Sequence, residues 1–178
     1  MNGIRRKIEV LANCATIVLA IIMSVALVRA FILRPNGVVG APGIPVAKVG
    51  DSLKRALPIN YDKHKATLVL AISTHCHFCA ESVPFFQKLQ ERVGQDIAVA
   101  VVLPETVAEG QKYLAEKEIR AGEVRQVSLA GLGVGGTPTI LLVDASGIVR
   151  NIWIGKLDSD GEEKVLTVLA GWPSRSNS

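Results

Sequence analysis

Between Val10 and Val28 the chain has no charged residue, and only Asn13, Thr16 and Ser24 interrupt the apolar run. As a helix this run of 19 residues would span about 28 Å, close to the roughly 30 Å of a bilayer's hydrocarbon core. Ala30 to Leu33 extend it past Arg29, whose long side chain can snorkel to the interface. The pattern predicts one transmembrane helix over residues 10–33, behind a basic flank at 1–9. Val28-Arg29-Ala30 also loosely fits the small-residue site of a cleaved signal peptide. The run is longer than the roughly 7–15 residues of a signal h-region, which favours the anchor. A buried soluble helix is the third reading. Residues 34–50 carry Pro35, Pro42 and Pro45 with Gly37, Gly40, Gly43 and Gly50, the composition of a linker.

From residue 51 to 178 the pattern changes to that of a folded domain. Thr67–Ile72 and Ile97–Leu103 are short continuous apolar runs, as in strands buried on both faces. Thr139–Val143 is a third. Cys79–Val93 reads as a helix, with Val83, Phe86, Leu89 and Val93 on one stripe. Val107–Ile119 reads as a polar-rich helix with Lys112, Glu116, Lys117 and Arg120 on a solvated face. Asp144–Gly147 predicts a turn into an antiparallel partner at Ile148–Ile154. Ser159-Asp160-Gly161-Glu162 resembles a capping box opening a last helix to about Ala170. Strand, helix, strand, helix, hairpin and helix predict an α/β fold, a central mixed sheet flanked by helices.

Charge sharpens this division. The 178 residues have a net charge of +4 and a pI near 9.1. Residues 1–34 hold five Lys and Arg against Glu9 alone, and residues 35–178 hold 15 of each sign. The excess therefore belongs to the flanks of the apolar segment, and no nucleic-acid footprint covers the domain. Arg5, Arg6 and Lys7 precede the segment while Arg29 and Arg34 follow it, so positive-inside counting weakly places the N-terminus in the cytoplasm. The domain would then face outside the cell membrane, in the periplasm of a Gram-negative cell, where disulfide chemistry is possible. Cys14 falls inside the apolar run and reads as an inert small hydrophobe.

The chemistry lies in Cys76-His77-Phe78-Cys79, between a buried strand and a helix. At a helix N-terminus, free N–H groups and the macrodipole favour a thiolate. Cys76, exposed at the turn, is the candidate attacking thiol. Cys79, about one turn on and more buried, is the candidate resolving thiol. The same spacing serves zinc, which normally needs a second ligand pair. His64, His75 and His77 are the available donors, but the adjacent His75 and His77 converge poorly with the thiolates, so no metal is expected. His75 and His77 flank Cys76 and are candidates for tuning its reactivity. Phe78 could shield Cys79, touch a substrate or pack in the core.

Together with Pro84, Thr137-Pro138 before a strand, Asp144, Gly147, Trp153 and Gly155, this motif resembles the thioredoxin superfamily over roughly residues 48–171. The resemblance is to its membrane-anchored or secreted branch, the TlpA-like and AhpC/TSA-like redoxins. It implies a thioredoxin-like fold and a cis Pro138 packed against the reactive cysteines. It further implies a Thr137 backbone offered to an extended substrate, and a Pro84 that kinks the active-site helix. Three departures stand out. His75 replaces the usual Trp. Leu70 stands where the family places a buried Asp or Asn, so proton transfer needs another route. Ser82 stands where TlpA-like proteins carry a Glu, and Glu81 lies one position early.

The implied function is a membrane-tethered thiol–disulfide oxidoreductase. It would use the Cys76–Cys79 couple without a further cofactor, on protein thiols or disulfides, with an electron donor or acceptor that the sequence does not name. The alternatives are a thiol peroxidase and a metal-binding or assembly module using the same cysteines. Peroxiredoxins place a Pro seven and a Thr or Ser three residues before the reactive cysteine. Here Ser73 fits, but Val69 breaks the signature. Gly131, Gly133, Gly135 and Gly136 resemble a phosphate loop, but no lysine follows, and they read as a flexible approach to Pro138. Trp153 and Trp172 read as packing residues.

Overall fold

The computed structural model describes residues 46–172, together with Ile17 and Met23. The predicted span at 10–33, the basic flank and most of the linker lie outside the described residues, those two positions apart. Among the described residues no helix is long and apolar enough to cross a membrane.

Five strands form one mixed sheet in the order β3-β2-β1-β4-β5. They are β1 (Ala66–Ala71), β2 (Ile97–Leu103), β3 (Glu123–Gln126), β4 (Thr139–Asp144) and β5 (Val149–Ile154). β1 runs parallel to β2 and antiparallel to β4. The central strand β1 is buried at all six positions, which is why its sequence is continuously apolar rather than alternating. Successive side chains divide between two cores. Leu68 and Leu70 join Val101, Leu103, Ile140 and Leu142 on one face. Val69 and Ala71 join Ala100, Val102, Leu141 and Val143 on the other.

Among described residues 46–172 four α-helices follow in chain order: α1 (His77–Glu81), α2 (Val83–Arg92), α3 (Val107–Glu116) and α4 (Ser159–Ala170). Phe85, Phe86 and Leu89 of α2, Leu114 of α3, and Val165, Leu166 and Leu169 of α4 all enter the first core. The second core is closed by Leu53, Leu57 and Tyr61 from the segment before β1, and by Leu132 and Val134 from the loop before β4. Full burial of a residue such as Leu57 or Phe86 contributes roughly 1.5–3 kcal/mol, so these irregular segments hold their face as effectively as helices do.

The structure corrects several boundaries. The predicted helix at Cys79–Val93 begins at His77 and breaks at Ser82, which caps α1 and opens α2. Ser82 N–H donates to the carbonyls of Phe78 and Cys79, and its hydroxyl donates to Phe78 O at 2.8 Å. Pro84 follows in the first turn of α2, where no N–H is needed. The break places Pro84 at a helix start rather than at an interior kink. The helix predicted to Ile119 stops at Glu116, because Glu118 takes a positive φ of 53°. Asp158, not Ser159, caps α4, accepting from Gly161 N–H. β3 was not predicted: Glu-Val-Arg-Gln is a short edge strand with no apolar run. Trp153 and Trp172 pack against the first core as expected.

Candidate active site

The site forms where β1 ends and α1 begins. Cys76 is the N-cap of α1, and Cys79 N–H donates to its Sγ at 3.3 Å. This is the local consequence of an extended residue preceding a helix, since the first-turn N–H groups have no partner within the helix. Cys76 is half-buried rather than freely exposed, because the loop before β4 lies against it, and its thiol donates to Thr137 O at 3.3 Å. The Thr137-Pro138 bond is cis, and Gly155 N–H donates to Pro138 O at 2.7 Å, tying this loop to the end of β5. Gly133, at φ 75°, is the one position of the preceding glycine run with a left-handed backbone.

Both cysteines are free thiols of opposite character. Burial pushes the Cys76 thiol up. Hydrogen bonds at its sulfur from the Thr137 and Cys79 side chains, and from the Cys79 and Phe78 backbone, outweigh that and hold it below the ordinary value. Cys79 is fully buried in the first core beside Leu70 and Phe86. Its burial, together with the charge of Cys76 and the bond it gives to that sulfur, pushes it up to about 12.

The histidines pair outward. His75 Nδ1 lies 3.2 Å from Glu105 Oε1, and His77 Nε2 lies 3.1 Å from Glu81 Oε1. Glu81 also accepts from Lys156 Nζ at 2.9 Å, and that contact, ahead of His77, holds its carboxyl below the usual range. Phe78 is 55% exposed, its ring tilted against His77, so the core-packing reading of this residue is overturned. The Cys76 turn has apolar surface on offer because α1 is short and turns Phe78 to solvent. His64 precedes β1, about 20 Å of strand away from the cysteines, and contacts Gln95 O instead. Among the described residues no group of three or more His, Cys, Asp or Glu is arranged to hold a metal ion.

Two residues escaped sequence reasoning. Glu105, two positions past β2, accepts at Oε1 from Ser73 Oγ at 2.5 Å and from Thr74 N–H at 3.2 Å, besides facing His75. Burial pushes its carboxyl up, and these bonds outweigh it and hold it below the usual range. The signal was available: parallel neighbours β1 and β2 bring their C-terminal loops side by side. Tyr113 of α3 carries a buried hydroxyl with no partner among the described residues, raised by burial and by the charges of Cys79 and Cys76. It lies on the predicted polar helix, where nothing distinguished it from a packing residue.

Of the two thiols, half-buried Cys76 is the one that reaches the surface, and Cys79 is buried. A cavity of about 360 Å³ lies elsewhere, between Pro58–Asn60, Lys63 and His64 and the starts of β2 and β3.

No protein-family model matches the chain, and no curated protein matches it in sequence. Solved structures do match in fold. A Chlorobium tepidum protein, provisionally described as thiol:disulfide interchange protein DsbE, superposes with a TM-score of 0.56 at 19% identity, covering 71% of this chain and 99% of that one. A Corynebacterium glutamicum thiol-disulfide isomerase superposes at 0.52 with 19% identity, covering 74% and 99%. The fold of this chain is thioredoxin-like.

Proposed function

We propose that this thioredoxin-like chain is a thiol–disulfide oxidoreductase tethered to the cell membrane by residues 10–33, with its N-terminus cytoplasmic and its domain extracytoplasmic. The observation that carries the reading is the asymmetric dithiol. A thiol held below its ordinary value caps α1, and a buried thiol pushed up to about 12 sits one turn behind it. The first is the better nucleophile of the two, and the second becomes one only after the first has been consumed.

Exchange then proceeds in two steps. The Cys76 thiolate attacks one sulfur of a substrate disulfide, and the departing substrate sulfur leaves with the electron pair. In the mixed disulfide the charge on Cys76 that raised Cys79 is gone. Cys79 loses its proton, attacks Cys76 Sγ, and releases the second substrate sulfur as the Cys76–Cys79 disulfide forms. The reverse sequence oxidises a substrate dithiol. No cofactor beyond this couple is required. Thr137 and cis-Pro138 line the approach to Cys76, and Phe78 offers an apolar contact, so the substrate is a protein segment rather than a pocket-bound metabolite. His75 and His77 tune the site. The fold relatives support this reading: one is named a thiol:disulfide interchange protein and the other a thiol-disulfide isomerase.

The test uses the full chain with Cys79→Ala in intact cells. This variant retains the attacking thiol and cannot resolve. We expect protein adducts on Cys76 in the membrane fraction, identified by mass spectrometry, and labelling of Cys76 by a membrane-impermeant maleimide. Absence of adducts would count against protein thiols as substrates. Labelling only after lysis would overturn the orientation.

A further inference from the structure

Thiol–disulfide exchange moves protons as well as electrons, and Leu70, buried at 1% exposure, offers none where the family places an acid. The turn before Cys76 contains a different arrangement. Glu105 comes from the loop after β2, 30 residues away in sequence from His75, yet its Oε1 meets Ser73, Thr74 and His75 in turn. Its side chain is 12% exposed, and its Oε2 is buried with no partner among the described residues. A buried oxygen left unpaired costs free energy whatever the group does, so its presence calls for an explanation. The loop that bears it is itself held by a reciprocal cap, Thr106 Oγ1 accepting from Glu109 N–H and Glu109 Oε2 from Thr106 N–H.

A carboxylate only accepts hydrogen bonds, so a bond from His75 Nδ1 to Glu105 requires the ring proton on that nitrogen. The Thr74 hydroxyl lies 3.0 Å from the same atom. Glu109, at the start of α3, is the further charged group within electrostatic range of the ring. Nδ1 is thus occupied. The ring, with its side chain 83% exposed, presents Nε2 outward on the residue adjoining Cys76.

We propose that His75 Nε2 carries the proton exchanged with the substrate sulfur, and that Glu105 is the positioning residue that holds the ring for this task. The proposal rests on Cys76 being the attacking thiol. In the reducing direction the Cys76 thiolate forms a bond to one substrate sulfur and the substrate S–S bond breaks. The bonding pair goes to the departing sulfur, and the Nε2–H of the imidazolium supplies its proton. Cys76 is oxidised to the mixed disulfide and the departing sulfur is reduced to a thiol. The imidazole is left neutral, with Nδ1–H still on Glu105. In the oxidising direction neutral Nε2 takes the proton of a substrate thiol as its sulfur bonds to Cys76 Sγ, the Cys76–Cys79 bond breaks, and the bonding pair leaves on Cys79.

Proton delivery matters only when the leaving thiolate is poor. The test therefore measures mixed-disulfide formation in the full chain carrying Cys79→Ala, with two probes. One is a dialkyl disulfide, whose thiolate leaves poorly, and the other an activated aryl disulfide, whose thiolate leaves unaided. We expect His75→Ala to lower the ratio of alkyl to aryl rates by about tenfold or more, and Glu105→Gln to lower it in the same sense. The double variant should match His75→Ala, because Glu105 acts through the ring. Ring 15N shifts should show His75 protonated at Nδ1, and should lose that preference in Glu105→Gln. An unchanged ratio in His75→Ala, or an equal fall with both probes, would overturn the proposal. His75 is exposed, so its removal leaves the fold intact even if Glu105→Gln disturbs the turn. Failure of the Cys79→Ala parent to react with either probe would instead overturn the Cys76 reading itself.

Discussion

The rim and the floor of the Cys76–Cys79 turn lie one helical turn apart and impose opposite chemistry on the same functional group. At the rim, Cys76 is half-buried beside the Thr137 carbonyl, and donors at its sulfur outweigh its burial. On the floor, Cys79 is packed with Leu70 and Phe86, and burial is the largest influence on its thiol. The difference shows that proximity to a helix N-terminus is insufficient to make a thiol reactive. How deeply each sulfur is buried and which groups donate to it decide which thiol's charged form is favoured.

The largest expected effect breaks the rim. With limiting iodoacetamide at pH 7, reduced protein should take up label on Cys76, and Cys76→Ser should slow labelling by about a hundredfold or more. The pH profile carries the sign. Only the thiolate reacts, so the Cys76 rate should fall as pH drops through its lowered value and level off above it. Cys79→Ala removes one hydrogen bond to that thiolate, so the whole profile should shift to higher pH. Labelling of Cys76→Ser as fast as wild type would erase the distinction between the two thiols.

The next effect breaks the floor. Phe86 is 2% exposed and belongs to the core that covers Cys79. Phe86→Ala should cost about 3–5 kcal/mol in chemical denaturation. It should also open Cys79 to alkylation while the protein remains folded. A large stability loss with Cys79 still inert would show that the charge of Cys76 and the bond given to its sulfur, rather than the core, keep that thiol protonated.

The smallest effect separates the two histidines. His77 pairs with Glu81 at helical i,i+4 spacing, its side chain 78% exposed, in a contact solvent screens. His77→Ala should change stability by less than about 0.5 kcal/mol and the alkyl-to-aryl ratio by little. If His77→Ala lowered that ratio as His75→Ala does, the special role of the half-buried Glu105 would be lost.

Hydrophobic patterning placed β1, β2 and β4 to within a residue or so, because strands buried on both faces have continuous apolar sequences, and a capping signature placed α4. It also marked Cys76 and Cys79, since a strand-to-helix transition is a local event with a local signature. β3 stayed hidden because an edge strand of Glu, Val, Arg and Gln takes its identity from pairing with β2. The break at Ser82 stayed hidden because Cys79 stands four residues before Val83, so apolar helical spacing carries across it.

The sequence by itself determined the class of fold, the pair of thiols and their order along the chain. Only the tertiary structure decided which groups surround them. Thr137 reaches Cys76 across 61 residues and Glu105 reaches His75 across 30. Both contacts follow from a sheet order that brings the C-terminal ends of β1 and β2 and the entry to β4 to one edge. Periodicity reports what a residue buries, but the register of distant strands sets what it meets.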